Sequence, residues 1–135
     1  DTEIFLTAAA PTPVALKRWY AKLGVNLKEI YGMTETCGGI SMMPRNEDKE
    51  GTVGKAVFGT EIRLDSETGE IMSKAPWNML GYYKEEAKTA EVLQDGWMHT
   101  GDVATICEMG FIEIRDRIKD VIKTDMHRLT RNANF

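Results

Sequence analysis

Tyr31-Gly32-Met33-Thr34-Glu35-Thr36 sets a glycine, a hydroxyl and a carboxylate side by side, a combination able to hold a phosphate and a metal. Glycine lets the backbone approach a ligand closely, a threonine hydroxyl can donate to phosphate oxygens, and a glutamate oxygen suits Mg2+, a hard cation that bridges to substrate phosphates. The same residues also fit a plain strand-to-helix turn, with Thr34 as its cap and Glu35 in the first turn. A second segment, Gly96-Trp97-Met98-His99-Thr100-Gly101-Asp102, crowds an aromatic, a histidine and an acid around glycines. Asp102 there can accept hydrogen bonds from the two hydroxyls of a ribose, or can be a loop residue bonded to nearby backbone. In a third segment, Arg115, Asp116, Arg117, Lys119, Asp120 and Lys123 alternate in charge. Arg117 and Lys119 share one strand face and can reach the same anion or hydroxyl, although such alternation also describes a solvated strand face. His99 and His127 have no Ser or Cys partner at a recognisable spacing, so no nucleophilic triad is indicated.

These residues need elements to position them. Ile4–Thr7 is β-prone, and Thr12 followed by Pro13 has the form of a helix start, Thr12 as N-cap and Pro13 at the first helical position. Leu16, Trp19, Tyr20 and Leu23 recur at helical spacing and Gly24 fits a helix end, so a helix is expected over 13–23. Val25 to Tyr31 then reads as a strand that delivers the Gly-Met-Thr-Glu segment, completing a strand–helix–strand unit of the kind that puts ligand contacts at strand ends. From Gly51 the texture changes to short β-type runs broken by glycine: Glu61–Leu64, Glu70–Lys74, Trp97–His99, Val103–Ile106, Phe111–Ile114 and Asp120–Lys123. That rhythm predicts a small, mostly antiparallel barrel, interrupted by one helix over Lys84–Leu93. Arg45–Glu50 mixes both signs of charge and reads as a solvated connection. The fold class expected is therefore α/β to α+β.

Composition narrows the function. The 135 residues fit one domain, and 42% hydrophobic with 28% charged residues is ordinary globular usage. A net charge of −4 has the wrong sign for phosphate-backbone binding, which excludes nucleic acid as the expected partner. No apolar run approaches the roughly 20 residues of a membrane span, which leaves room only for peripheral membrane association. Cys37 and Cys107 form no metal-ligand or disulfide pattern, so a reducing, cytoplasmic setting is expected. The opening Asp1-Thr2-Glu3 has no initiator Met and runs at once into a strand-like segment, as the middle of a longer gene product would.

Taken together and in order, Tyr31-Gly32-Met33-Thr34-Glu35, Gly69-Glu70-Ile71, Gly81-Tyr82-Tyr83, Asp95-Gly96-Trp97-Met98-His99-Thr100-Gly101-Asp102 and Asp116-Arg117-Ile118-Lys119-Asp120 resemble the AMP-forming acyl-CoA synthetases of the adenylate-forming superfamily. The likeness covers about residues 5–124. It implies part of the adenylate-forming enzyme fold and a two-step ligase. A carboxylate attacks the α-phosphate of ATP to give an acyl adenylate and pyrophosphate, and coenzyme A then takes the acyl group. It also implies roles: Thr34 on the phosphates, Glu35 on Mg2+, Asp102 on the ribose hydroxyls, Arg117 near the ribose, and Tyr31, Gly32 and Met33 beside the adenine. Ala10 and Pro11 fall in the counterpart of the family's glycine-rich adenine-side loop, with alanine where glycine is common. Lys119 matches the hinge that joins the large domain to a small C-terminal domain.

The resemblance divides the chain into the end of the large-domain core (1–50), a β-barrel subdomain (51–115), the hinge and start of the C-terminal domain (116–124), and a tail (125–135) that resembles nothing in the family and is expected to be disordered. It places the family's phosphate loop before Asp1 and its catalytic lysine after Phe135, so these residues by themselves are expected to be inactive. Gly81-Tyr82-Tyr83-Lys84 and Thr89-Ala90-Glu91 look most like the long-chain fatty-acid branch. An adenylation domain acting on another carboxylic acid, and a non-catalytic nucleotide-binding or interaction module, are the alternatives.

Overall fold

A computed structural model of the chain describes residues 4–118. β1 (Phe5–Thr7) leads to α1 (Val14–Lys22) and then to β2 (Leu27–Tyr31), which pairs with β1 in parallel. This is the expected strand–helix–strand unit. Two short strands, β3 (Ser41–Met42) and β4 (Lys55–Ala56), extend the sheet beyond β2 in antiparallel fashion, giving the order β1-β2-β3-β4. Both are too short to leave a periodic signal in the sequence.

Helix α1 begins one residue later than expected, with Pro13 at the cap and no side-chain cap. Thr12 faces elsewhere. Its hydroxyl pairs with that of Thr7 at 2.7 Å, and its backbone N–H donates to Glu29 Oε1 at 3.1 Å. Lys17 Nζ lies 2.6 Å from Glu29 Oε2 with both side chains nearly buried, so one carboxylate ties strand, helix and the loop between them.

The second sheet runs β5 (Glu61–Leu64), β6 (Glu70–Lys74), β8 (Trp97–Ile106), β7 (Leu93–Gln94), with β9 (Ile112–Arg117) also on β8. The expected antiparallel character holds, but among the described residues no pairing closes the sheet into a barrel. The two strands expected at 97–99 and 103–106 are one continuous strand, β8, which takes β6 along one edge and β7 then β9 along the other. Helix α2 (Glu86–Val92) is shorter than expected at both ends: Lys84 stands at a left-handed φ of 56° and Glu85 is the N-cap, and Leu93 leaves the helix to begin β7.

The two sheets join where Val53 N–H donates to Ile112 O and Ile112 N–H donates to Gly54 O, each at 2.8 Å. The core sits at this seam: Ile40, just ahead of β3, packs with Ile71, Ala104 and Ile112 from the second sheet, and Tyr31 and Val53 lean on the cluster. The Arg45–Glu50 connection is held rather than free. Glu50 bonds Arg18, Glu47 bonds Lys55 and accepts from Lys28 through its carbonyl, and Lys49 reaches Cys107. Asp116 and Arg117 are the last residues of β9, whereas Lys119, the Asp120–Lys123 strand and the 125–135 tail lie outside the described residues.

Candidate functional site

Strand β2 ends at Tyr31, and the chain turns at once. Gly32 is demanded there by space: a Cβ would stand 2.4 Å from the Gly38 carbonyl oxygen. Thr34–Thr36 then form one 3-10 turn, closed by the Thr36 hydroxyl, which accepts from Met33 N–H and donates to Met33 O, each at 3.1 Å. Thr36, fully buried, is thus the residue that caps the turn, and Thr34 is exposed.

Asp102 reaches the same region from β8. Alternation along that strand buries Met98, Thr100, Asp102 and Ala104, so a carboxylate occupies a position that period-two packing gives to the interior. Its approach is set by Gly101, whose φ of 74° lies in the left-handed region and whose N–H donates to Glu70 Oε1 at 2.8 Å. The other oxygen of Glu70 meets His99 Nδ1 at 2.9 Å. His99 is therefore occupied by a structural contact, and Glu70 braces the strand just ahead of Asp102.

Two groups hold the Asp102 carboxylate. The Tyr31 hydroxyl donates to Oδ2 at 2.8 Å, and Arg117 Nε, directly across the β8–β9 ladder, lies 3.1 Å from Oδ1. Burial foremost pushes the Tyr31 phenol well above its ordinary range, with Asp102 adding to the shift, so the hydroxyl keeps its proton as a donor at neutral pH. Each carboxylate oxygen retains a further acceptor lone pair. An arrangement of this kind presents two fixed acceptors, which is what a vicinal diol requires.

These residues open on a cleft of about 380 Å3, lined by Ala9, Ala10, Pro11, Tyr31, Gly32, Met33, Asp102 and Arg117 among others. Seven of the residues singled out from sequence for nucleotide binding thus share one cavity: Ala10, Pro11, Tyr31, Gly32, Met33, Asp102 and Arg117. Thr34 and Glu35 do not line it. Lys17, Glu29 and Thr52 do, and nothing in the sequence around them marks them, because their contribution comes from neighbours that only the fold brings close. Ala9 stands at φ 72°, a left-handed conformation that glycine adopts without strain and alanine does not.

Glu35 is held by the loop that follows β6. The Tyr82 hydroxyl donates to its Oε1 at 2.7 Å and Met79 N–H donates to its carbonyl at 2.8 Å. Among the described residues no group of three or more His, Cys, Asp or Glu side chains could cage a metal. A single carboxylate with one oxygen unengaged, next in sequence to a threonine hydroxyl, fits Mg2+, which keeps several waters and takes one or two carboxylates together with substrate phosphates.

A model of the AMP-binding enzyme family matches residues 2–83, and the chain belongs to that family. A long-chain-fatty-acid–CoA ligase of Salmonella typhimurium is 37% identical over 134 residues, covering 90% of this chain and 24% of the relative. Feruloyl-CoA synthase of an Amycolatopsis species is 38% identical over 128 residues, covering 87% of this chain and 26% of its own length. Among solved structures, O-succinylbenzoate coenzyme A synthetase from Bacillus subtilis, in complex with ATP and magnesium ion, superposes with a TM-score of 0.77 at 32% identity, covering 85% of this chain and 26% of that one. The chain spans 20–26% of the length of the curated relatives it matches. Its mixed α/β architecture is the one expected of an adenylate-forming enzyme.

Proposed function

We propose that the protein is an ATP-dependent, AMP-forming acyl-CoA ligase, in which a carboxylic acid attacks the ATP α-phosphate to give an acyl adenylate and pyrophosphate, and coenzyme A then takes the acyl group. The observation that carries this reading is the Asp102 carboxylate, buried, fixed by Tyr31 and Arg117, and facing the same cleft as Gly32, Met33, Ala10 and Pro11. Asp102 accepts the ribose hydroxyls, Arg117 holds the carboxylate and lies beside the ribose, and Tyr31, Gly32 and Met33 with Ala10 and Pro11 flank the adenine. Thr34 donates to the phosphates and Glu35 binds Mg2+. When bound, the cation stabilises charge developing on the phosphate oxygens. The residues themselves contribute by orientation, holding nucleotide and acid in reacting geometry with no covalent enzyme intermediate. Lys119 acts at the hinge between the two half-reactions.

The acid is of the long-chain fatty type, supported by Gly81-Tyr82-Tyr83-Lys84, Thr89-Ala90-Glu91 and Asp116-Arg117-Ile118-Lys119-Asp120, and by similarity to the Salmonella ligase. An aryl acid is the second reading, favoured by the comparable similarity to feruloyl-CoA synthase. ATP–pyrophosphate exchange by the natural gene product across long-chain, medium-chain and aryl acids separates them. Exchange with long-chain acids is expected. Exchange with aryl acids alone would reassign the substrate, and no exchange with any acid, despite retained nucleotide binding, would favour a non-catalytic nucleotide-binding module.

A further inference from the structure

Tyr82 belongs to the Gly81-Tyr82-Tyr83 motif, yet it lies outside the cleft and has no part in the nucleotide contacts assigned there. Its hydroxyl donates to Glu35 Oε1 at 2.7 Å across 47 residues of sequence. It is itself fixed from behind: Tyr82 N–H donates to Thr89 Oγ1 at 2.9 Å, and the Thr89 hydroxyl donates to Glu85 O at 3.0 Å, so helix α2 anchors the tyrosine. The loop that carries Tyr82 is bound to the far side of the turn as well. Met79 N–H bonds the Glu35 carbonyl at 2.8 Å, the Cys37 thiol donates to Trp77 O at 3.1 Å, and Trp77 Nε1–H donates to Gly39 O at 3.4 Å. Backbone and side chain of Glu35 are therefore positioned by one loop. Among the described residues, Oε2 of Glu35 has no hydrogen-bond partner.

We propose that Tyr82 is a positioning residue that makes Glu35 a one-oxygen ligand for a small divalent cation. The proposal rests on the reading of Glu35 as the metal carboxylate. With Oε1 engaged by the phenol, Oε2 alone is presented, in a fixed rotamer, and a carboxylate offering one oxygen suits the tight octahedral shell of Mg2+. A freely rotating carboxylate that can offer both oxygens suits the larger, looser shell of Ca2+. Tyr82 thus contributes to cation choice without touching cation or nucleotide.

The test measures binding of a non-hydrolysable ATP analogue to the natural gene product by calorimetry, with MgCl2 or CaCl2 titrated in, so that the readout is independent of turnover. Tyr82→Phe is expected to raise the Mg2+ concentration needed for half-maximal nucleotide binding about tenfold, the scale on which partners of metal ligands act. The Ca2+ requirement is expected to move much less, so that the preference for Mg2+ narrows. Tyr82→His, which keeps a donor, is expected to recover part of it. Thr89→Val, which removes the anchor of the Tyr82 backbone, should move the Mg2+ requirement in the same direction and serves where Tyr82→Phe does not fold. Glu35→Gln separates the two levels of the argument. If it leaves the Mg2+ requirement unchanged, Glu35 is not the metal carboxylate and the underlying reading falls. If Glu35→Gln shifts the requirement while Tyr82→Phe and Thr89→Val leave both cations unaffected, the positioning role alone is overturned.

Discussion

Cys107 shows how far a neighbour can change a residue that its sequence context leaves unremarkable. Lys49 Nζ lies 3.1 Å from its sulfur and is the foremost cause holding the thiol below its ordinary range, helped by backbone N–H groups of Phe111 and Met109. The thiolate fraction at neutral pH is therefore raised, and thiolate is the reactive form. Alkylation of Cys107 by iodoacetamide at pH 7, followed by peptide mass spectrometry, should slow on Lys49→Met because the thiol titration moves back up. The two rates should converge at pH well above the thiol range, where both proteins are deprotonated. Equal rates at pH 7 would show that Lys49 does not act on the sulfur. At the same scale, Asp102 is recognisable in the sequence as an acid next to a glycine, but its fixing by Tyr31, 71 residues away, is not. The motif suggests an adenine-side role for Tyr31; the structure adds that its hydroxyl orients the carboxylate. Thr34 illustrates the same limit: the sequence points to it as the cap, whereas the hydroxyl that closes the turn is that of Thr36.

Element by element, legibility follows length and periodicity. The parallel unit β1–α1–β2 is readable because Leu16, Trp19, Tyr20 and Leu23 repeat at helical spacing and the flanking runs are β-prone. Strand β8 reads as two strands in the sequence because Gly101 ordinarily signals a turn, whereas in the fold Glu70 clamps the glycine inside a continuous strand. The unit β1–α1–β2 is held by Glu29, which bonds the Thr12 backbone and pairs with Lys17. Glu29→Ala leaves a nearly buried ammonium without its partner, and is expected to cost about 3 kcal/mol in denaturant unfolding. Glu29→Gln should cost less, because an amide oxygen can still accept from Thr12 N–H. A loss near zero for Glu29→Ala would mean that the Lys17 ammonium reaches water without disturbing the helix.

For the molecule as a whole, the informative feature is an apolar face with little to cover it. Leu16, Trp19 and Leu23 are 43%, 54% and 61% exposed along α1 and its C-terminal cap. Exposed apolar side chains at helical spacing on one helix can drive association. The 135-residue chain alone is expected to self-associate with rising concentration in light scattering, and Trp19→Lys combined with Leu23→Glu should reduce it; a clean monomer before substitution would refute this. The family, the strand–helix–strand start, the antiparallel character of the second sheet, and the residue types suited to nucleotide and metal are legible in the sequence alone. Those come from local periodicity and from contiguous motifs, in which neighbours in sequence are neighbours in space. The folded arrangement is needed to see that seven of those residues share one cleft while Thr34 and Glu35 do not line it, that Tyr31 and Arg117 hold Asp102, and that Tyr82 holds Glu35. Each of these depends on contacts between segments far apart in the chain, whose distances are fixed by strand register and packing and leave no trace in local composition.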